Sequence, residues 1–595
     1  MSYTDERHAQ IVLALLKQHG VRKVVASPGA TNIPIVGSMQ GDPYFEVYSS
    51  VDERSAAYFA CGLAEESGEI VAISCTGATA SRNYLPALTE AYYRKLPILA
   101  ITSFNGNKLI GNLVPQNIDR SVLPNDAAKL SVQLPIVKDK SDEELCNLLV
   151  NKAILEATRN GGGPVHINLT TTYKGTFETK QLPYERMINR ISASDVAPEF
   201  GSKKVALFLG SHRAFSKSET SVIEEFCERN GAIVLCDHTS GYRGKYRIQA
   251  ALITSNISKH NSIWSTLKPD LVIHAGEVSG DYPGTRVLME ASDVWRVSED
   301  GEVRDRSGKL KLVVQGSLTE FLSKQRNRNF TTNVLYENWK RVDLELRDSL
   351  PEIPFSNPWI AQQLHTKIPE GSYVNLAILN TLRSWNLFEL DESISTFANV
   401  GGFGIDGCVS SMLGASLVDN EKLYFGVVGD LAFFYDVNAI ANRHIGNNVR
   451  ILIINNGCGT EFNISTHTGS QFGSKSNEFI AAGGHFGSSF DKSSKVSPAE
   501  ERTTSSLAEA WAEKLGYVYL CADNKRTLLE NLDKFVSKKT DSPVILECFT
   551  DSDDESMALK LMSSLSKSNK EKWIGVAKKL LPSTATSKIK QILGN

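Results

Sequence analysis

From its N-terminus the chain alternates short apolar runs with stretches in which apolar residues recur every three or four positions. Glu6 to Gly20 carries Ile11, Leu13, Leu15 and Leu16 at helical spacing and ends on a glycine, which predicts an amphipathic helix with a C-terminal stop. Val21 to Ala26 then reads as a buried strand, followed by strands at Phe45 to Ser49, Ile70 to Cys75 and Pro97 to Thr102. Between them lie helical patterns at Ser55 to Glu65 and, after the small-residue turn Thr76 to Thr79, up to Tyr93. Val165 to Leu169 reads as the closing strand of this block and Thr170 to Pro198 as a polar linker. Such alternation predicts a parallel, doubly wound sheet with its sites at the carboxyl ends of the strands.

The pattern restarts at Lys204 (VALFLG), continues through Ala232 to Cys236 and Asp270 to Ala275, and breaks off in the polar run Gln325 to Asn333. A third block runs from about Pro354 to Asp551. A chain of 595 residues is too long for one core. The expected fold class is therefore α/β with three doubly wound parallel-sheet domains, at residues 1–185, 200–330 and 354–555, and a tail at 556–595.

One stretch of the third block, Gly426 to Phe462, concentrates the candidate chemistry. An apolar run ends in Gly429-Asp430, a helical pattern follows, and a second run (Arg450 to Ile454) ends at Asn455-Asn456. A carboxylate and an amide oxygen at two strand ends are hard donors suited to Mg²⁺ holding a diphosphate. The same residues also suit ordinary turns, and the stretch alone leaves both readings open.

Composition removes partners rather than adding them. With 41% hydrophobic residues, 22% charged residues and a formal net charge of −3, no nucleic-acid or membrane partner is expected. The polar start MSYTDERHAQ is no secretory signal and no apolar run reaches the length of a membrane span, so a cytoplasmic location is expected. Nine scattered cysteines without a C-x-x-C pair suggest buried thiols. Walker A, H-E-x-x-H and G-x-S-x-G patterns are missing from the sequence, and no clean G-x-G-x-x-G opens a helix after a strand, so the common nucleotide, zinc-protease and serine-hydrolase sites are not evident. After Met557 the chain turns basic, with eight lysines against Glu571 and interleaved apolar residues; this suits a solvated helix or an acidic partner surface.

Three features together resemble the thiamine diphosphate enzymes: Gly429-Asp430 with Asn456 26 positions later, Glu53 in SSVDERSAAYFACGLAEESG, and the order of the three α/β blocks. The segments SPG (27–29), NYLPALTEAYY (83–93), VHINL (165–169), GIDG (404–407) and GDLAFFYDVNAI (429–440) are similar to the branch of menaquinone-pathway synthases, in which Leu431 is usual. The resemblance implies pyrimidine, central and diphosphate domains, with thiamine diphosphate and Mg²⁺ as cofactors. It implies Asp430, Asn456 and the Cys458 carbonyl as metal ligands, and Pro28, Gly29, Thr76, Gly77, Ile405, Gly429, Asp430, Leu431 and Asn456 as cofactor-binding residues. Glu53 would be catalytic, bonding N1′ of the aminopyrimidine; Ile405 would be the apolar wedge beneath the thiazolium. Such a carboxyl needs a poorly solvated place to share its proton with a weakly basic ring.

Departures from that branch bear on substrate. Its members hold the carboxylates of 2-oxoglutarate and isochorismate with arginines, a task suited to planar, bidentate guanidinium groups. This chain has Ala30-Thr31, Phe104-Asn105-Gly106, Asn399-Val400 and, in a less secure match, Asn380 at the corresponding places. The resemblance therefore implies a 2-oxo acid decarboxylase or carboligase acting on a small-molecule 2-oxo acid and an acceptor other than the menaquinone pair. The synthase itself, an acetolactate-synthase-like enzyme, a simple decarboxylase and a non-catalytic scaffold stay as alternatives. Thr31, Gln116, Arg286, Phe462 and His467 are candidate substrate contacts, the last two in a glycine-containing loop, Glu461 to Ser489, expected to cover the site. A homodimer or homotetramer with active sites between subunits is also implied.

Overall fold

The structure is a computed structural model that describes residues 2–120, 122–172, 175–325, 332–464, 467–481 and 506–566. Three all-parallel sheets with interspersed helices make the fold α/β. Two compact units are drawn from Met1–Asp195 with Asp293–Ser317, and from Val196–Ser292 with Leu318–Asn595.

The first unit is built on β1 (Lys23–Ala26), β2 (Glu46–Ser49), β3 (Val71–Cys75), β4 (Ile98–Phe104), β5 (Leu130–Leu134) and β6 (Val165–Thr170), in the spatial order β2-β1-β3-β4-β6-β5. Alternate residues serve opposite faces. Val24, Ala72, Leu99 and Ile101 pack with the helices Arg7–Gln18 and Lys140–Glu156. Val25, Val71, Ile73, Ile98 and Ala100 pack with Glu53–Ser67 and Leu85–Arg94. Burial on both faces is why these strands read as continuous apolar runs. β6 is the last strand of this sheet in sequence, yet β5 takes the edge.

The expected linker 170–198 contains a strand, β7 (Asn189–Ser192), paired in parallel with a strand far along the chain, Asn189 standing opposite Leu312. Of the middle sheet, β8 (Val205–Leu209), β9 (Ile233–Cys236), β10 (Arg247–Gln249) and β11 (Leu271–Ala275) belong to the second unit, in the order β10-β9-β8-β11. β12 (Asp293–Ser298) and β13 (Leu310–Gln315) run in the order β12-β13-β7 in the first. The compact units thus divide the block expected at 200–330, because β7 draws β13 to the first unit. The polar run at 325–333 ends as a helix cap: the Asn333 side chain accepts a bond from Tyr336 N and starts the helix Val334–Asp348.

The third sheet has β14 (Tyr373–Leu376), β15 (Ser395–Phe397), β16 (Tyr424–Gly429), β17 (Val449–Asn455), β18 (Val518–Ala522) and β19 (Val544–Phe549), ordered β15-β14-β16-β17-β19-β18. That is the connection order of the first sheet repeated. Thr76 and Asp430 therefore hold equivalent places, each following the third strand, as Asn105 and Asn456 each follow the fourth. The nine cysteines form no disulfide and eight are buried, as their scatter suggests. No helix among the described residues is long and apolar enough to cross a membrane. The tail begins inside the helix Ser552–Met562, and its residues from 567 on lie outside the described residues, as do 482–489 of the expected cover loop.

Candidate active site

In the first unit the carboxyl ends of β1, β3 and β4 lie side by side, and the segments leaving them pack tightly. A Cβ on Gly29 would stand 2.5 Å from Thr76 Cβ, so only glycine lets Ser27-Pro28-Gly29 lie against the Thr76-Gly77 turn. A Cβ on Gly77 would meet Ser103 O at 3.2 Å and the Phe104 Cβ at 3.3 Å. The next residue, Ala78, has φ of 57°, a left-handed conformation that is uncommon outside glycine. Thr31 is buried in the same packing: its hydroxyl donates to Ser103 O at 2.7 Å and lies 2.6 Å from Thr76 Oγ1. Its polar capacity is therefore used within the unit, and it braces the turn.

Glu53 is the first residue of the helix Glu53–Ser67, which Asp52 caps by accepting from Ser55 N at 2.9 Å. The Glu53 carboxylate is half-buried and takes one long bond, 3.5 Å, from Asn83 Nδ2. Gln116 is exposed on the irregular segment after β4, with φ of 64°.

In the second unit Asp430 and Asn456 follow β16 and β17 directly, and the register Gly429↔Ile454 brings these two strand ends together. Asp430 is 2% exposed and begins the helix Asp430–Tyr435. Asn456 Oδ1 accepts from Cys458 N at 3.3 Å across a turn in which Gly457 has φ of 74°. Gly459 then packs against Leu431 and Phe462, to which an added Cβ would come within 3.4 and 3.3 Å. Phe462 meets the His467 ring edge-on at 5.1 Å, and His467 Nδ1 accepts from Gly469 N at 3.0 Å. Ile405 is partly buried against the core of this sheet, just ahead of the helix Cys408–Ser416.

The structure does not bring Arg286 to these residues. Its guanidinium lies 4.7 Å over the Trp264 ring, donates to Ile257 O and pairs with Glu290 at 3.3 Å. Two features were not legible in advance. Glu555, fully buried, accepts from Asn357 N at 2.9 Å, Thr550 Oγ1 at 2.8 Å and Asn380 Nδ2 at 3.4 Å. Burial holds its carboxyl up at about 7. The other is Arg383, which reaches Glu461 in the loop beyond Asn456.

Residues 6–123 match the family described as thiamine pyrophosphate enzyme, N-terminal TPP binding domain. A 2-succinyl-5-enolpyruvyl-6-hydroxy-3-cyclohexene-1-carboxylate synthase of Phocaeicola vulgatus is 31% identical over 579 residues, covering 94% of this chain and 98% of that protein. The chain belongs to the thiamine pyrophosphate enzymes. A synthase of the same name from Bacteroides thetaiotaomicron is 31% identical over 578 residues, with 94% and 98% covered, and one from Flavobacterium johnsoniae 26% over 585, with 94% and 99%. As a thiamine pyrophosphate enzyme the protein acts in carbon–carbon bond chemistry. The donors present fit that cofactor's needs: a buried carboxylate, an amide oxygen and a backbone carbonyl are the hard set a magnesium diphosphate asks for. Among the described residues no three His, Cys, Asp or Glu side chains converge as a metal cluster, which leaves this mixed oxygen set as the candidate.

Proposed function

We propose that the protein uses thiamine diphosphate with Mg²⁺ to release CO₂ from a 2-oxo acid, or otherwise to make an acyl anion equivalent, and passes it to a carbonyl or conjugated acceptor. When bound, the cofactor supplies the electron sink for the bond that breaks. Asp430, the Asn456 amide oxygen and the Cys458 carbonyl hold the metal, with Gly429 and Leu431 beside them. Pro28, Gly29, Thr76 and Gly77 wall the aminopyrimidine, and Ile405 supports the thiazolium. Glu53 holds and returns a proton at N1′. The adjacency of Asp430 and Asn456 at two paired strand ends carries this reading.

The substrate is less anionic than the menaquinone pair. Val400 is 3% exposed and Thr31 8%, so these places offer packing and neutral hydrogen bonds instead of guanidinium groups, and losing one such pair to a buried carboxylate costs about 2–5 kcal/mol. An acceptor rich in hydroxyls, such as a sugar derivative, suits the polar replacements. Gln116, Phe462 and His467 are the candidate substrate contacts. The working unit is a homodimer or homotetramer, supported by Tyr58 and Phe59, exposed at 47% and 51% on the helix that begins at Glu53, an apolar patch suited to a partner.

A second reading, the menaquinone-pathway activity itself, is favoured by the synthase names of relatives that match 94% of the chain. A screen of 2-oxo acids for CO₂ release, with and without thiamine diphosphate, Mg²⁺ and candidate aldehydes, tests the proposal. Cofactor-dependent release from at least one acid is expected; none across the screen would overturn it.

A further inference from the structure

Arg120 follows the irregular segment that leaves β4 and is 2% exposed. None of its three guanidinium nitrogens has a hydrogen-bond partner among the described residues. The group stacks 4.7 Å over the Phe104 ring, and Nη1 would lie 3.5 Å from a Cβ on Gly77. It borders a small cavity with Arg82, Tyr84, Thr102 and His166.

Among the described residues no carboxylate pairs with it. Arg82 is a like charge. Burial and Arg120 hold the His166 pKa down at about 3, and the ring is engaged by Thr102 and Ser131, 2.7 Å away on either side. Burial pushes the Cys75 thiol up to about 12. A lone buried guanidinium is among the most costly groups a fold can carry, and Arg120 stays cationic at neutral pH, lowered only to about 10. Shielding within its own unit means that a second protein surface cannot reach it; the missing anion has to be small. The approach of Nη1 to Gly77 places the uncompensated charge against the Thr76-Gly77 turn.

We infer that Arg120 receives one carboxylate that a substrate keeps through the reaction, a guanidinium contact beside Phe104, where this chain lacks a charged turn. The inference rests on the function proposed above. The carboxylate is a surviving one, because a cation on the departing carboxylate would stabilise the ground state against its loss. It belongs to the donor acid or to the acceptor.

The test compares full-length wild type with Arg120→Met and Arg120→Lys. Without cofactor, [¹³C]acetate is the probe: saturable line broadening and a raised Tm are expected in wild type, lost in Arg120→Met and reduced in Arg120→Lys. In acetate-free buffer Arg120→Met should melt no lower than wild type, since it removes an uncompensated charge; a purely structural arginine would lower Tm. With thiamine diphosphate and Mg²⁺, KM for the carboxylate-bearing substrate should rise about 30-fold or more in Arg120→Met. Amide analogues of donor and acceptor, tried in turn, should show which one carries the carboxylate by losing discrimination between wild type and variant. Acetate that fails to bind wild type, binds Arg120→Met equally, or an Arg120→Met chain that does not fold, overturns the inference. Acetate binding at Arg120 without turnover of any 2-oxo acid overturns the proposed function and leaves the anion site standing.

Discussion

Arg383 and Glu461 meet fork to fork, Nη1 2.6 Å from Oε2 and Nη2 2.8 Å from Oε1. Arg383 lies on the helix Asn380–Trp385 that follows β14, and Glu461 lies five residues beyond Asn456. The pair fastens the loop after the proposed metal ligands to a neighbouring helix, with the planar geometry only arginine gives.

Arg383→Gln should therefore loosen the loop. A loss of about 1–3 kcal/mol in urea unfolding is expected, with a raised Mg²⁺ concentration for half-maximal activity. A double-mutant cycle with Glu461→Gln should show that the two losses are not additive. An unchanged Mg²⁺ requirement would separate this pair from the site.

Glu53 stands at a helix start with one weak protein contact, from Asn83, so little of the fold depends on its charge. Glu53→Gln should lower kcat by about 10²–10⁴-fold, the range for losing a proton-transfer group, while cofactor affinity by calorimetry and Tm hold. Turnover equal to wild type would favour a scaffold role.

Gly29 is set by contact, since the Thr76 side chain already occupies the space of a Cβ there. Gly29→Ala should push the two turns apart, costing about 1–3 kcal/mol and weakening cofactor binding. Thermal melts with and without thiamine diphosphate check both.

Two buried carboxyls give the second unit a pH signature. Glu555 is held at about 7 by burial against its hydrogen bonds, and Asp281 at about 7 by burial and then the nearby Asp237. From the ordinary values of 4.5 and 3.8 up to about 7, the folded state binds more protons than the unfolded chain. Stability should fall as pH rises through that window, by up to about 1.4 kcal/mol per pH unit for each group. Urea unfolding at pH 5, 6 and 7 measures it, and Glu555→Gln should flatten part of the slope; stability rising with pH would contradict this.

Strands buried on both faces, such as Val71–Cys75 and Val449–Asn455, were legible because unbroken apolar runs leave no other place for them. β7 was not, since its four residues are partly exposed and owe their state to pairing with β13. Asp430, Asn456 and Glu53 stood out by residue type at strand or helix boundaries. Arg383, Glu555 and Arg120 did not, because their meaning lies in partners gained or missing far along the chain. Arg286 shows the converse: a charged residue in a suggestive motif is consumed by Trp264 and Glu290.

The measurement that tests the account most directly sets kcat/KM for 2-oxoglutarate with isochorismate beside that for less anionic 2-oxo acids with hydroxylated aldehydes, on the same holoenzyme. A value of about 10⁴ M⁻¹s⁻¹ or more is expected for a pair of the second kind, with the first pair orders of magnitude lower. Ordinary enzymatic efficiency on 2-oxoglutarate with isochorismate would contradict it.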